Sequence, residues 1–359
     1  PANYRTFFVS QTDRDAVVVP PDLAHPYLLV DASEIAALRE RIGQSERLRR
    51  GWQYQVNAAH SALELEPVTE QYAKGGVGQH GNYSVSSGWY HRHLENVAFV
   101  AAVTGDKTLA AKGVEMLMTA CSYERWLGPL FDDPKHFDPP WRSALETAMM
   151  VEAVAVGYDL LYPHLTDAQR QTVRQALADK GIRMLVREWA DPIGSSQIPR
   201  HQTPTGNWVM VCSASAGLGA LAILGAQPEA PHWTRLVRNR VRAWLHDRGG
   251  DWYVDNPWPV NRPKPIPVIG PSEPNFGRDG GYKESISYMN YGTRYVCDFA
   301  NALRRVTGEN LFTHVPENLL DHMAWSIIAW EESGAVKSAV VDFGDFLEVQ
   351  AGHAPNIVV

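Results

Sequence analysis

Residues 279–292 read Asp-Gly-Gly-Tyr-Lys-Glu-Ser-Ile-Ser-Tyr-Met-Asn-Tyr-Gly. On a helix, Glu284, Tyr288 and Tyr291 fall at i, i+4 and i+7, so one face carries a carboxylate and two phenols. A packed core has little use for three hydrogen-bonding groups in a row, whereas a cleft that binds sugar and moves protons uses all of them. A second constellation is Arg200-His201-Gln202-Thr203-Pro204-Thr205-Gly206-Asn207-Trp208, just before and at the start of a helical run. An amide at a helix N-terminus donates to an anionic oxygen while neighbouring backbone N–H groups add positive potential, which suits a carboxylate becoming an enolate. The plain alternative is that Asn207 caps the helix and Trp208 packs in the core.

The elements that must position these groups are helices. Apolar residues recur at helical spacing, and the helices come in pairs joined by short turns carrying Gly, Pro, Asp or Asn. Ala32 to Ile42 and Ser45 to Ala62 form the first pair, with Asp31 and Ser33 as cap candidates. Tyr90 to Val103 pairs with Leu109 to Cys121, and Ser143 to Tyr162 with Asp167 to Trp189. Asn207 to Leu224 leads to Pro231 to His246, and Tyr282 to Val306 leads to Pro316 to Glu331. Successive hairpins without alternating strands predict an all-α array that forms a solenoid or closes into a toroid. The run Ser-Ala-Ser-Ala-Gly-Leu-Gly-Ala-Leu from Ser213 to Leu221 favours closure, because small residues permit the close approach a crowded ring requires.

Three long irregular segments, Pro67 to Gly88, Leu127 to Trp141 and Gly249 to Gly281, interrupt the pattern, and loops of this length are usually functional. The third holds Trp252, Tyr253, Trp258, Arg262 and Lys264, a mixture suited to sugar stacking and anion contact or to a Pro-rich surface excursion. Residues 1–30 read as an extended lead-in to a single domain spanning 1–359. The apolar end Asn356-Ile357-Val358-Val359 reads as a chain that continues.

Composition narrows the chemistry. A 359-residue chain that is 45% hydrophobic and 20% charged fits a globular protein, and a net charge of −7 argues against nonspecific nucleic-acid binding. No apolar run reaches the roughly 18 residues of a membrane span; the longest, from Val209 to Gly225, is broken by Ser213, Ser215 and glycines. Cys121, Cys212 and Cys297 lie far apart in apolar helical stretches and read as buried free thiols. His91-x-His93 lacks the companions of a metal motif, and no Walker loop, dinucleotide fingerprint or Gly-x-Ser-x-Gly elbow is present.

The sequence resembles the heparinase II/III-like polysaccharide lyases, including the oligoalginate lyases. The resemblance rests on His25-Pro26-Tyr27-Leu28-Leu29-Val30 leading into a helix with Leu38-Arg39-Glu40-Arg41, and on Asn207-Trp208 opening the small-residue helix. It extends to Asp279-Gly280 followed by Glu284 and Tyr288-Met289-Asn290-Tyr291-Gly292, and to Phe343-Gly344-Asp345. It implies an (α/α) toroid that is incomplete here, lacking the family's C-terminal β-sheet domain. The implied activity is β-elimination on a uronic-acid polysaccharide, alginate or oligoalginate first, in a periplasmic or secreted setting. Asn207 would neutralise the C6 carboxylate and Tyr288 would act as acid and base, with Tyr291 the alternative phenol. His201 takes a catalytic part if its loop folds inward. No cofactor is expected in this chain, although a metal in the β-sheet region belongs to some members.

A phenol titrates near about 10, so a Tyr base needs a nearby cation. His201, Arg200, Arg142 and His91-Arg92-His93 are candidates for that field and, with Tyr291, Glu284 and Trp208, for binding the acidic glycan. Two other readings stay open. A toroidal glycoside hydrolase would pair carboxylates drawn from Asp132, Asp133, Asp251, Asp255 and Glu284, and a noncatalytic glycan-binding protein would use the same aromatic and basic cleft.

Overall fold

The computed structural model describes residues 17–75, 81–135, 140–190, 206–246, 282, 284 and 286–314. Arg200, His201, the segment Gly249 to Gly281 and the helix expected from Pro316 to Glu331 lie outside the described residues, as does Phe343-Gly344-Asp345. The described part is all-helical: α1 (Ala32–Gln44), α2 (Glu46–Ser61), a short α3 (Glu70–Ala73), α4 (Gly81–Thr104), α5 (Lys107–Ser122), α6 (Leu145–Leu161), α7 (Asp167–Ala176 and its wide-turned continuation), α8 (Asn207–Ala222), α9 (Ala230–His246) and α10 (Ile286–Thr307).

Local chemistry sets the helix starts. Asp31 accepts from the Glu34 amide while Glu34 reaches back to the Asp31 amide, a reciprocal cap on α1; Ser33 supports it by donating to Asp31. Ser45 and Asp106 cap α2 and α5 by accepting first-turn amides, and Thr166 with Gln169 repeats the reciprocal cap on α7. The irregular segment expected over Pro67 to Gly88 is a correction: α4 begins at Gly81. Its opening Gly-Asn-Tyr-Ser-Val-Ser-Ser-Gly has turn chemistry, yet Tyr83, Ser86, Ser87 and Tyr90 are buried at helical spacing. Ser86 and Ser87 donate back to the carbonyls of Asn82 and Ser84, so tertiary packing overrides weak propensity without leaving a hydroxyl unsatisfied.

The helices α4, α6, α8 and α10 pack side by side in that order, while α5, α7 and α9 lie against them. Both α6 and α8 are buried almost all round, which explains their lack of a polar stripe. Glycine makes the approach possible on two sides of α8. A Cβ at Gly217 would collide with Phe299 of α10 and lie 2.6 Å from Val237 of α9. One at Gly219 would lie 2.6 Å from Val151 of α6. Ion pairs carry α10 back to the start of the array, through Arg305 to Asp31 and Glu34 and through Arg294 to α4.

The lead-in is fastened across the helix ends. Asp159 of α6 accepts the backbone amides of Tyr27 and Leu28 at 3.0–3.1 Å and meets His25 Nδ1 at 2.6 Å. The Tyr27 hydroxyl donates to the Leu221 carbonyl at 2.7 Å and lies 3.1 Å from the Ala222 carbonyl, at the end of α8. After Ala176, α7 widens into π-helical turns over Leu177–Ile182 and Val186–Ala190, around one α turn at Arg183–Leu185.

Candidate functional site

Two of the sequence constellations meet where α8 begins. Gly206 delivers the chain at φ +89°, a left-handed conformation that suits glycine, and Asn207 opens the helix. The backbone amide of Asn207 donates to Glu284 Oε2 at 2.6 Å and its side-chain amide donates to the same oxygen at 3.1 Å. A third donor, the Tyr282 hydroxyl, reaches that oxygen at 2.7 Å. The carboxylate rests on Gly206 itself: a Cβ there would stand 3.3 Å from Glu284 Oε1. Burial, and then the neighbouring Glu284 charge, push the Tyr282 phenol far above its ordinary range, so it stays protonated and donating.

Glu284 therefore does not share a helical face with the two phenols. It sits in a turn before α10, and this corrects the i, i+4, i+7 arrangement. The helix starts at Ile286, and the Glu284 carboxylate lies at the positive end of α8. Tyr288 and Tyr291 do lie on α10, where Tyr295 extends their row. Tyr288 is half-buried against the main core. Tyr291 meets Tyr295 edge to face at 5.6 Å, and burial foremost, then the charge of Cys212, raises its phenol above the ordinary range. A phenol held protonated in this way is unavailable as a base.

Trp208 turns toward other aromatics. Its ring lies 5.6 Å from Trp189 and 5.7 Å from Trp141, which stacks on Phe131 at 5.3 Å. Arg142 stands at the edge of this aromatic group and pairs with buried Glu188 at 3.6 Å. Trp208 is half-buried among these rings.

His91, Arg92 and His93 do not act as one basic cluster. Consecutive helical residues diverge by about 100°, and here they separate fully: Arg92 is exposed, His93 leans on Trp89 at 4.9 Å, and His91 turns inward. His91 Nε2 lies 3.2 Å from Glu152 Oε2 of α6, 3.4 Å from Glu95 Oε1 of α4, and 2.6 Å from a terminal nitrogen of Arg294 on α10. Arg294 also approaches Glu152 at 3.5 Å and Asp298 at 3.9 Å. Three carboxyl groups thus crowd one guanidinium and one imidazole.

The crowding has electrostatic consequences. Burial, with repulsion from Glu152 added, lifts Glu95 to about 7 against the pull of His91 and Arg294. Asp298 rises to about 8 for the same two reasons in the same order. Glu152 instead falls: burial alone would raise it, but His91 and Arg294 beside it outweigh that. Burial also works against a charge on His91, yet Glu95 and Glu152 leave it above its usual value.

Sequence reasoning missed Glu95, Glu152, Arg294 and Asp298. A signal existed: α6 is apolar apart from a few residues, and its acids Glu146, Glu152 and Asp159 recur at about two-turn spacing and are all buried. Glu95 lies four residues after His91, and Asp298 four after Arg294, which puts each pair on one helical face.

The acids considered for hydrolysis are only partly among the described residues. Asp251 and Asp255 lie outside them, Asp133 accepts the Lys135 amide, and Glu284 is committed to Asn207. Cys121 and Cys212 are buried free thiols as expected, whereas Cys297 is only half-buried. No helix among the described residues is long and apolar enough to cross a membrane. Neither a family model nor a curated protein sequence matches the chain.

Proposed function

We propose that this protein is a polysaccharide lyase that cleaves a uronic-acid glycan, alginate or oligoalginate first, by β-elimination. One observation carries the reading: Glu284 ties Asn207, at the positive end of α8, to the segment that opens α10 and bears Tyr288. An amide nitrogen has two hydrogens, and Glu284 takes one of those on Asn207. The other, with the first-turn backbone amides, is the proposed partner of the substrate's C6 carboxylate, where it stabilises the enolate that forms when the C5 proton leaves.

Tyr288 is the proposed proton-transfer group. Its phenolate takes the C5 proton, the C4–C5 double bond forms as the C4–oxygen bond breaks, and the same proton passes to the departing oxygen. Glu284 orients Asn207 rather than reacting. Arg142, Arg200 and His201 supply positive field in this scheme. The closed toroid belongs to the same reading, supported by the ion pairs from α10 to α1 and α4.

The test is a panel of polyuronates followed by the ultraviolet absorbance of the unsaturated product. A rise with alginate or oligoalginate supports elimination. New reducing ends without absorbance mean hydrolysis, and binding without cleavage means a carbohydrate-binding module; either result overturns the proposal.

A further inference from the structure

We propose that His91, Glu95 and Glu152 form a binding site for one divalent cation of the zinc or manganese class, built between α4 and α6 beside Arg294. It goes beyond the lyase reading and does not rest on it.

Geometry comes first. The imidazole nitrogen lies 3.4 Å from Glu95 Oε1 and 3.2 Å from Glu152 Oε2, and the ligand atoms of the three residues all lie within 4.8 Å of one another. Ligands bound to zinc at about 2.0–2.2 Å in a tetrahedral arrangement stand roughly 3.3–3.6 Å apart, so one of the three edges has that length and a second falls just short of it. His91 and Glu95 are one helical turn apart, and Glu152 comes from the adjacent helix, as in helix-bundle metal sites.

Unmet bonding points the same way. The Glu152 side chain is 2% exposed, and its Oε2, aimed at His91, has no hydrogen-bond partner; Glu95 Oε1 is likewise buried without one. Buried carboxylate oxygens left in that state cost free energy that a bound cation removes. Arg294 stands 2.6 Å from His91 Nε2, so a metal bound there takes the place of the guanidinium and of any proton on that nitrogen.

Charge and room complete the case. Glu95, Glu152 and Asp298 outnumber Arg294, so a divalent ion arriving among them displaces protons and meets carboxylates. Arg294 is 37% exposed and has Asp298 one turn along its own helix, so it has somewhere to go when a metal takes its place at His91. Three protein ligands leave a fourth position for water or a sugar hydroxyl.

The experiment uses the whole chain, stripped with chelator and dialysed, then titrated calorimetrically with ZnCl2 and separately with MnCl2. Metal retained after desalting is counted by mass spectrometry. One equivalent is expected for at least one ion, and Glu152→Gln and His91→Gln should each weaken it at least about tenfold. Arg294→Met gives a second measurement that does not depend on losing a ligand. It removes the competing cation, so the metal-induced rise in melting temperature should exceed that of the unmodified protein. Absence of binding, affinity unchanged in both ligand variants, or no larger rise in Arg294→Met overturns the site.

Discussion

Glu284 and Glu152 are both half or wholly withdrawn from water beside α10, yet their surroundings are opposite in kind. One oxygen of Glu284 receives three neutral donors, from the Asn207 backbone, the Asn207 amide and Tyr282. Glu152 shares its space with two further carboxyl groups, and its Oε2 receives no hydrogen bond. The difference teaches what each centre is fit for. A carboxylate surrounded by donors fixes the groups around it and so orients an amide for another anion. A crowded set of carboxyl groups holds protons at neutral pH or takes up a cation, because it must gain positive charge from somewhere.

The comparison can be broken at its most reactive point. Tyr288→Phe should reduce elimination on alginate at least about 100-fold with the fold intact, the scale of a lost proton-transfer group. Steady-state kinetics with circular dichroism as a control checks this, and full activity in the variant would remove Tyr288 from the mechanism. Next in size is Glu284→Ala, which strips the shared acceptor from three donors. A loss of about 2–3 kcal/mol in urea unfolding is expected, the scale of hydrogen bonds to a charged group.

The crowded centre should answer to pH. Glu95 and Asp298 have folded values of about 7 and about 8, above those of an unfolded carboxyl. The folded chain therefore binds more protons than the unfolded one between roughly pH 4.5 and 8, and stability falls as pH rises through that window. Chelator-treated protein should melt at lower temperature at pH 8 than at pH 5.5, and Glu95→Gln should flatten the slope. A slope unchanged in Glu95→Gln would mean that the acid is not part of the titrating set. The smallest effect is expected at Gly206→Ala, where a left-handed φ and a methyl 3.3 Å from Glu284 Oε1 should cost about 1–2 kcal/mol.

Much of the helical framework was legible because amphipathic period and caps are local. Asp31, the Thr104-Gly105-Asp106 turn and the Asn207 start are all readable from neighbours in sequence. The opening of α4 was not, since Gly81 and its serines favour turns until Tyr83 and Tyr90 find a core. Within the candidate site, Asn207 was readable from its place at a helix start. Its partner was not, because Glu284 joins it across 77 residues. Tyr282 was hidden for the same reason, and the role of Glu152 depends on α4 and α10 coming to α6. His91-Arg92-His93 misled for a simpler reason: adjacency in sequence is divergence on a helix.

One consequence lies in how α8 is enclosed. Fifteen of its sixteen residues are buried, with glycine notches that admit α6 on one side and α9 and α10 on the other. A helix with no wet face cannot remain when its neighbours on either side depart. The described helices before residue 206 and after residue 230 should therefore melt together in one cooperative step, and a protease cut on either side of α8 should cost the stability of both groups.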